Sequence, residues 1–406
     1  MDTNNNTKRA NMALSQSVQQ HQANSSYIRK MFEQGEELKK KLGKDKVYDF
    51  SLGNPDTEPP EGVIEAYKKY ANGSFPGLHR YMSNAGVYDV REKVAKRLTD
   101  DSGVNVPVSN VVMTVGAAGA INTLLKAILN PEDEVIALAP YFLEYGFYVD
   151  NYLGKLVPVE TQKDTFMPDI DEIERHVTEK TKAIILNSPN NPTGVVYSAE
   201  RLIDIENMLK KCEKKYGTTI FVISDEPYVK IAYDGVKVPN MLACFENAVI
   251  VNSFSKSLAL AGERIGFVAV SGRISCAEAL VGGIVFCNRV LGFVNAPALA
   301  QYVVADNLDI SVNIDEFKEK RDELYGILIE AGFECNKPQG AFYLFPKIMG
   351  NDEEEFKNNA LKHNILIVPG FGVKGHFRAA YCVDINTIRN SKNAFMTLAA
   401  EYRGKG

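Results

Sequence analysis

Three short segments carry residue types suited to catalysis, and each follows an apolar run. Ser253-Phe254-Ser255-Lys256 comes directly after Ala248 to Asn252, and Gly262-Glu263-Arg264-Ile265-Gly266 leads into the next run. A lysine at the end of a buried strand faces a cleft, where lost hydration lowers its pKa toward the nucleophilic amine. Taken alone, a loop lysine is ordinarily a solvated surface charge. Ser224-Asp225-Glu226-Pro227-Tyr228 closes a second run, at the kind of strand end where ligands of open α/β sheets collect. Asp225 there can face a cationic group or cap the following helix, and the sequence leaves both readings open. The third segment, Asn187-Ser188-Pro189-Asn190-Asn191-Pro192-Thr193-Gly194, is a rigid turn on its composition alone.

These segments need a scaffold, and the chain between Val111 and Ser271 supplies one. Apolar runs at Val111 to Val115, Glu134 to Ala139, Lys155 to Val159, Ala183 to Asn187, Thr219 to Ser224, Ala248 to Asn252 and Ile265 to Val270 alternate with helical stretches such as Arg201 to Tyr216. Near-continuous Val and Ile predict strands buried on both faces of a mainly parallel sheet. The remainder changes character, with a charged helix expected over Ile314 to Ala331, strand-like pieces at Ala341 to Phe345, Ile365 to Val368 and Phe377 to Val383, and a final helix. The expected fold is therefore α/β: a large domain with a helix-flanked parallel sheet, plus a smaller α+β domain built from both chain ends.

In residue numbers, 1–26 reads as a loose tail or arm, since it is polar and nearly free of large apolar side chains. Residues 27–55 open the small domain with an amphipathic helix from Tyr27 to Leu42, 56–308 form the large domain, and 309–406 complete the small one. A chain of 406 residues is too long for one simple core, and two domains imply a cleft between them.

Composition narrows the function. A net charge of only −5 with dispersed basic residues argues against nucleic acid as a partner and for a small molecule. No apolar run is long enough to span a bilayer, and no basic-then-apolar leader opens the chain, so no membrane partner and a cytoplasmic location are expected. The cysteines are scattered without a CxxC pair or suitably spaced histidines, so no metal site is expected.

In this order and spacing, NSPNNPTG, SDEPY, SFSK and GERIG resemble the class I aminotransferases, fold-type I enzymes that use pyridoxal 5'-phosphate, and most of all the bacterial aspartate aminotransferase-like proteins. The likeness runs from about Val47 to the C-terminus. It implies that Lys256 carries the cofactor as a Schiff base and, once released, moves the proton at the substrate α-carbon. Asp225 would keep the pyridine nitrogen charged so that the ring acts as an electron sink, while Tyr228 and Asn191 would hydrogen-bond the phenolic oxygen. Ser253 and Arg264 would hold the phosphate. The backbone N–H groups of Ala117 and Ala118, at the start of a helix, would complete that grip, because two alanines offer no side-chain bond.

By the same resemblance, Phe142 stacks on the cofactor ring, Arg378 grips the substrate α-carboxylate, and the backbone at Gly53 and Asn54 approaches that carboxylate. Asn191 reaches the substrate as well as the cofactor. Tyr81 corresponds to a tyrosine that crosses a dimer interface, which implies a homodimer with shared active sites. Arg289 is the candidate second arginine, reading a side-chain carboxylate from the neighbouring subunit. The implied activity passes an amino group from an L-amino acid to a 2-oxo acid, with aspartate and 2-oxoglutarate as the first pair.

Alternatives on the same scaffold are aromatic or alanine-type transamination and a carbon–sulfur β-lyase. A nucleotide-binding protein using Gly116-Ala117-Ala118-Gly119 is disfavoured, because the next strand ends in Ala139-Pro140-Tyr141 rather than in a ribose-binding acid. A non-catalytic regulator is disfavoured too, since the N-terminal segment is too short and polar for a helix-turn-helix.

Overall fold

The computed structural model describes residues 13–73, 75–370 and 372–403. Seven strands form the principal sheet: β1 (Val111–Thr114), β2 (Glu134–Ala139), β3 (Lys155–Glu160), β4 (Thr181–Asn187), β5 (Phe221–Asp225), β6 (Ala248–Ser253) and β7 (Gly266–Val270). These are the seven runs expected from the sequence. Their order is β1-β7-β6-β5-β4-β2-β3, and only β7 runs antiparallel to its neighbours. Alternate residues fill two cores. Ile136, Leu138, Ile184, Val222 and Ile250 face one side, and Val135, Ala137, Ile185, Ile223 and Val251 face the other. Burial on both faces explains why the strands read as continuous apolar runs rather than alternating ones.

A further core gathers Phe50, Tyr228, Phe317, Leu324, Phe342, Phe377 and Phe395 around a three-stranded antiparallel sheet of Val368–Pro369, Phe377–Ala380 and Tyr343–Leu344. Its long helix spans Ile314–Ala331, the range expected, with Asn313 as N-cap and Gly332 in the left-handed conformation as C-cap. A parallel two-residue pairing of Tyr48 and Asp49 with Ile365 and Leu366 ties the two chain ends together.

One expectation needs correction. The first helix, α1, spans Gln16–Leu42 rather than starting at Tyr27, so part of the segment read as a loose tail is helical, while residues 1–12 lie outside the described residues. Ser15 caps it by accepting from the Val18 N–H, and glutamine and alanine are good helix formers without any apolar periodicity. Tertiary contacts add to this: His21 Nε2 lies 3.1 Å from Asp150 Oδ2 and its ring packs 4.9 Å from that of Phe147, while Lys39 pairs with Asp49 at 2.8 Å.

Candidate active site

The C-terminal ends of β4, β5 and β6 and the start of the helix after β1 open on one cavity of about 420 Å³. Its lining includes Gly53, Ala117, Ala118, Phe142, Asn191, Asp225, Tyr228, Ser253, Lys256, Arg264 and Arg378. The segments that follow β1, β4, β5 and β6 thus meet because parallel strands deliver their carboxyl ends to the same edge, and Gly53 and Arg378, 325 residues apart in order, complete the lining.

Asp225 ends β5 and is nearly inaccessible, at 6% exposure. Its Oδ2 accepts a bond of 2.5 Å from the Tyr145 hydroxyl, and its Oδ1 is buried without a partner among the described residues. Burial pushes the carboxyl up to about 6, against the pull of the Tyr145 bond. Burial and the adjacent Asp225 carboxylate hold the tyrosine hydroxyl well above its usual range, so it remains a donor. An orphaned acceptor in so dry a place calls for a cationic N–H. The Asp225 carbonyl is also engaged, by Asn187 Nδ2 at 2.9 Å, and Asn187 Oδ1 accepts from the Asn191 N–H at 2.7 Å. Those two bonds fix the Asn-Pro turn against β5.

Lys256 sits on the single helical turn that follows β6, and its Nζ donates to the Gly53 carbonyl at 2.7 Å. Desolvation lowers its pKa, and the charges of Arg264 and Arg378 act in the same direction. A buried amine under such pressure releases its proton readily and becomes a nucleophile.

Arg264 adopts a positive φ of 53° and donates to the Ala261 carbonyl at 3.0 Å. Its guanidinium lies over Gly116, the first residue of α2 (Gly116–Ile128), where a Cβ would stand 3.0 Å from Nη2. Gly266, two residues on, leaves room for the same crossing, because its Cβ would meet the Asn252 carbonyl oxygen at 2.4 Å and Gly116 backbone at 2.9 Å. Together, the α2 N-terminus, Ser253 and the Arg264 fork make a receptor for a dianion such as phosphate.

Arg378, from the second sheet, donates to Asn191 Oδ1 at 3.3 Å and to the Ser51 carbonyl at 2.9 Å, while its Nε is buried without a partner among the described residues. The guanidinium stacks 4.7 Å from the Tyr343 ring centroid. A second anion site, suited to a carboxylate, follows.

A class I and II aminotransferase family model matches residues 45–394. The chain belongs to that family. Its fold is similar to that of an amino transferase from Eubacterium rectale, with a TM-score of 0.92 and 37% identity over 96% of this chain and 99% of the other. An aspartate aminotransferase of Thermotoga maritima is 30% identical over 86% of this chain and 90% of its own length. An aromatic-amino-acid aminotransferase of Thermococcus litoralis is 31% identical over 91% and 94% respectively. The protein is therefore a transferase of amino groups on the mixed, mainly parallel sheet of the fold-type I enzymes.

Three residues named from the sequence are not part of this aminotransferase's own cavity lining. Tyr81 is 95% exposed, Arg289 is exposed on the helix Ala277–Val290, and Asn54 is exposed beside Gly53. Conversely, sequence reasoning missed Tyr145, Tyr148 and Glu144 on α3 (Glu144–Asp150), and Tyr343. Tyr343 Oη stands 3.0 Å from Tyr228 Oη, and burial pushes the Tyr343 hydroxyl up to about 12. The signal for Tyr343 was its place in Ala341-Phe342-Tyr343-Leu344, where a hydroxyl interrupts a core strand and must find a partner.

Gly53 makes room for that tyrosine, since a Cβ there would stand 2.0 Å from Tyr343 Oη. Gly53→Ala is expected to push the phenol away from Tyr228 and unstack Arg378. With the clamp misplaced by about an ångström, kcat/KM should fall on the order of 10²-fold, read by steady-state kinetics. A value within about twofold of wild type would show that Tyr343 does not position the site.

Proposed function

We propose that this aminotransferase binds pyridoxal 5'-phosphate in the 420 Å³ cavity and moves an amino group from an L-amino acid to a 2-oxo acid. The observation that carries the reading is the partnerless Asp225 Oδ1 in the same cavity as the Lys256 amine. A protonated pyridine nitrogen satisfies that oxygen, and a dianionic phosphate satisfies Arg264, Ser253 and the amides of Ala117 and Ala118, so the residues fit the group. When bound, the cofactor supplies an electron sink for the bond broken at the substrate α-carbon.

This chain's own residues do the rest. Lys256 Nζ would hold the cofactor and, as a free amine, would carry the proton at the substrate α-carbon, for which its lowered pKa suits it. Tyr228 and Asn191 would donate to the cofactor's phenolic oxygen, and Phe142 would cover its ring. Arg378 holds the α-carboxylate, which orients the Cα–H bond, and the Gly53 carbonyl holds the free lysine amine until it is used. The large unit is assigned to residues 56–308, with 27–55 and 309–406 forming the small one.

The working form is proposed to be a homodimer in the cytoplasm, with Tyr81 and Arg289 turned toward the partner's site, which accounts for their exposure here. Aspartate with 2-oxoglutarate is the pair to test first, given the relative from Thermotoga maritima. The aromatic walls Tyr141, Phe142 and Tyr148 favour an aromatic donor as the second reading.

Titration of the purified protein with single amino acids, followed by visible absorption, tests the proposal. A true donor bleaches the band and a 2-oxo acid restores it. A colourless protein that stays colourless after incubation with pyridoxal 5'-phosphate would sink the reading.

A further inference from the structure

Five charged side chains line the cavity: Asp225, Lys256, Arg264, Arg378 and Glu144. The first four have places in the reading above, and Glu144 does not. It opens α3, directly after Phe142 and Leu143, and shares the cavity wall with Tyr141 and Tyr148. Its carboxyl accepts from its own backbone N–H and is coupled through charge to Arg378 and Tyr148, and it makes no direct ion pair among the described residues. Burial pushes this carboxyl up and the Arg378 charge pulls it back down. A half-buried acid in a pocket, without an ion-pair partner among the described residues, costs stability rather than adding it.

We infer that Glu144 is the residue that reads the substrate side chain, and that it selects amino donors with neutral or cationic side chains over dicarboxylic ones. The inference rests on the reading in which Arg378 holds the α-carboxylate. With Arg378 so engaged, Arg264 on phosphate and Lys256 at the reacting carbon, this chain's own described lining offers no further cation to a second substrate carboxylate, and any such cation has to come from the partner subunit. It offers a carboxylate instead, close enough to Arg378 for the two to sense each other, and a side chain extending from a substrate held there meets like charge. A side chain that donates a hydrogen bond or carries an ammonium group finds an acceptor in the same place. Any turnover of aspartate thus runs against the influence of Glu144 rather than with its help.

The test uses the cofactor-loaded enzyme and two unreactive ligands: maleate, a dicarboxylate, and isocrotonate, in which a methyl group replaces one carboxylate. Glu144→Gln removes the charge and keeps the shape. Calorimetry is expected to show maleate bound about tenfold more tightly or better by the variant, with isocrotonate changed by less than about threefold. In parallel, the ratio of kcat/KM for aspartate to that for alanine should rise by a similar factor. Glu144→Ala serves as a second variant, and an unchanged visible band certifies that each has kept its site.

Maleate affinity that is unchanged or weaker in both variants overturns the inference. Weaker binding would mean that the carboxyl steadies a cation supplied from outside this chain's lining. A wild-type protein without a visible band defeats the underlying cofactor reading instead, so the two failures are distinguishable.

Discussion

Replacing Lys256 by alanine is expected to cut turnover by about 10⁴-fold or more and to abolish covalent retention of the cofactor, the largest effect of any single change in this protein. Two functions vanish together, nucleophilic attachment and proton transfer at the α-carbon, and general acid–base catalysis alone contributes about 10²- to 10⁴-fold. Lys256→Arg separates charge from chemistry. The guanidinium can still reach the Gly53 carbonyl that Lys256 Nζ contacts at 2.7 Å, but it stays protonated and cannot attack. It should therefore be as inactive as the alanine variant.

A small primary amine added to Lys256→Ala is expected to restore part of the rate, because the vacated volume admits it and the rest of the site is intact. The pH profile supplies a further check. Desolvation lowers the lysine's pKa from 10.5, so the free amine becomes available at lower pH than for an exposed lysine, and activity should decline as pH falls below that lowered value. Undiminished turnover of Lys256→Ala, or retention of its visible band through gel filtration, would remove the basis of the proposal.

Much of this site was legible because parallel-sheet topology translates position along the chain into position in space. Once Ala183 to Asn187, Thr219 to Ser224 and Ala248 to Asn252 read as buried strands, whatever followed each had to sit on the same edge, and Asn191, Asp225 and Lys256 do. Arg378 was found through the motif resemblance, since nothing in His376-Phe377-Arg378-Ala379 distinguishes a substrate clamp from an ion pair. Tyr145 and Glu144 were not legible. A glutamate in the first turn of a helix is favoured by the helix dipole wherever the helix lies, and only the tertiary placement of α3 turns that residue inward. Tyr145 likewise reads as a core aromatic, and its hydroxyl finds Asp225 from 80 positions away. The start of α1 escaped for the opposite reason, because a polar helix has no apolar period to detect and Ser15 supplies only a cap.

Asp225→Asn is expected to lower kcat on the order of 10²- to 10³-fold while leaving the protein folded, because an amide cannot hold a ring nitrogen in its cationic form. Tyr145 can still donate to the amide oxygen, so the local geometry should survive. Stability should respond in the opposite sense in the cofactor-free protein. An unfolded aspartate titrates near 3.9, whereas burial raises the native value to about 6. Between those values the native state holds a proton that the unfolded chain has released, so stability falls as pH rises through this window, and the loss is complete above about pH 6. It amounts to about 3 kcal/mol at most, from a shift of roughly two units.

Asparagine does not titrate, so the cofactor-free variant should lack that decline, seen by comparing urea midpoints of the two proteins at about pH 4 and about pH 7. Bound cofactor should erase the difference in the wild type, since a cationic N–H against the vacant Oδ1 favours the ionised carboxyl and carries the titration below the window. On the proposed reading, buried charge at residue 225 would be a cost to the empty protein that the loaded one recovers as cofactor affinity. Identical pH dependence of wild type and variant without cofactor would mean that Asp225 is not the group under strain.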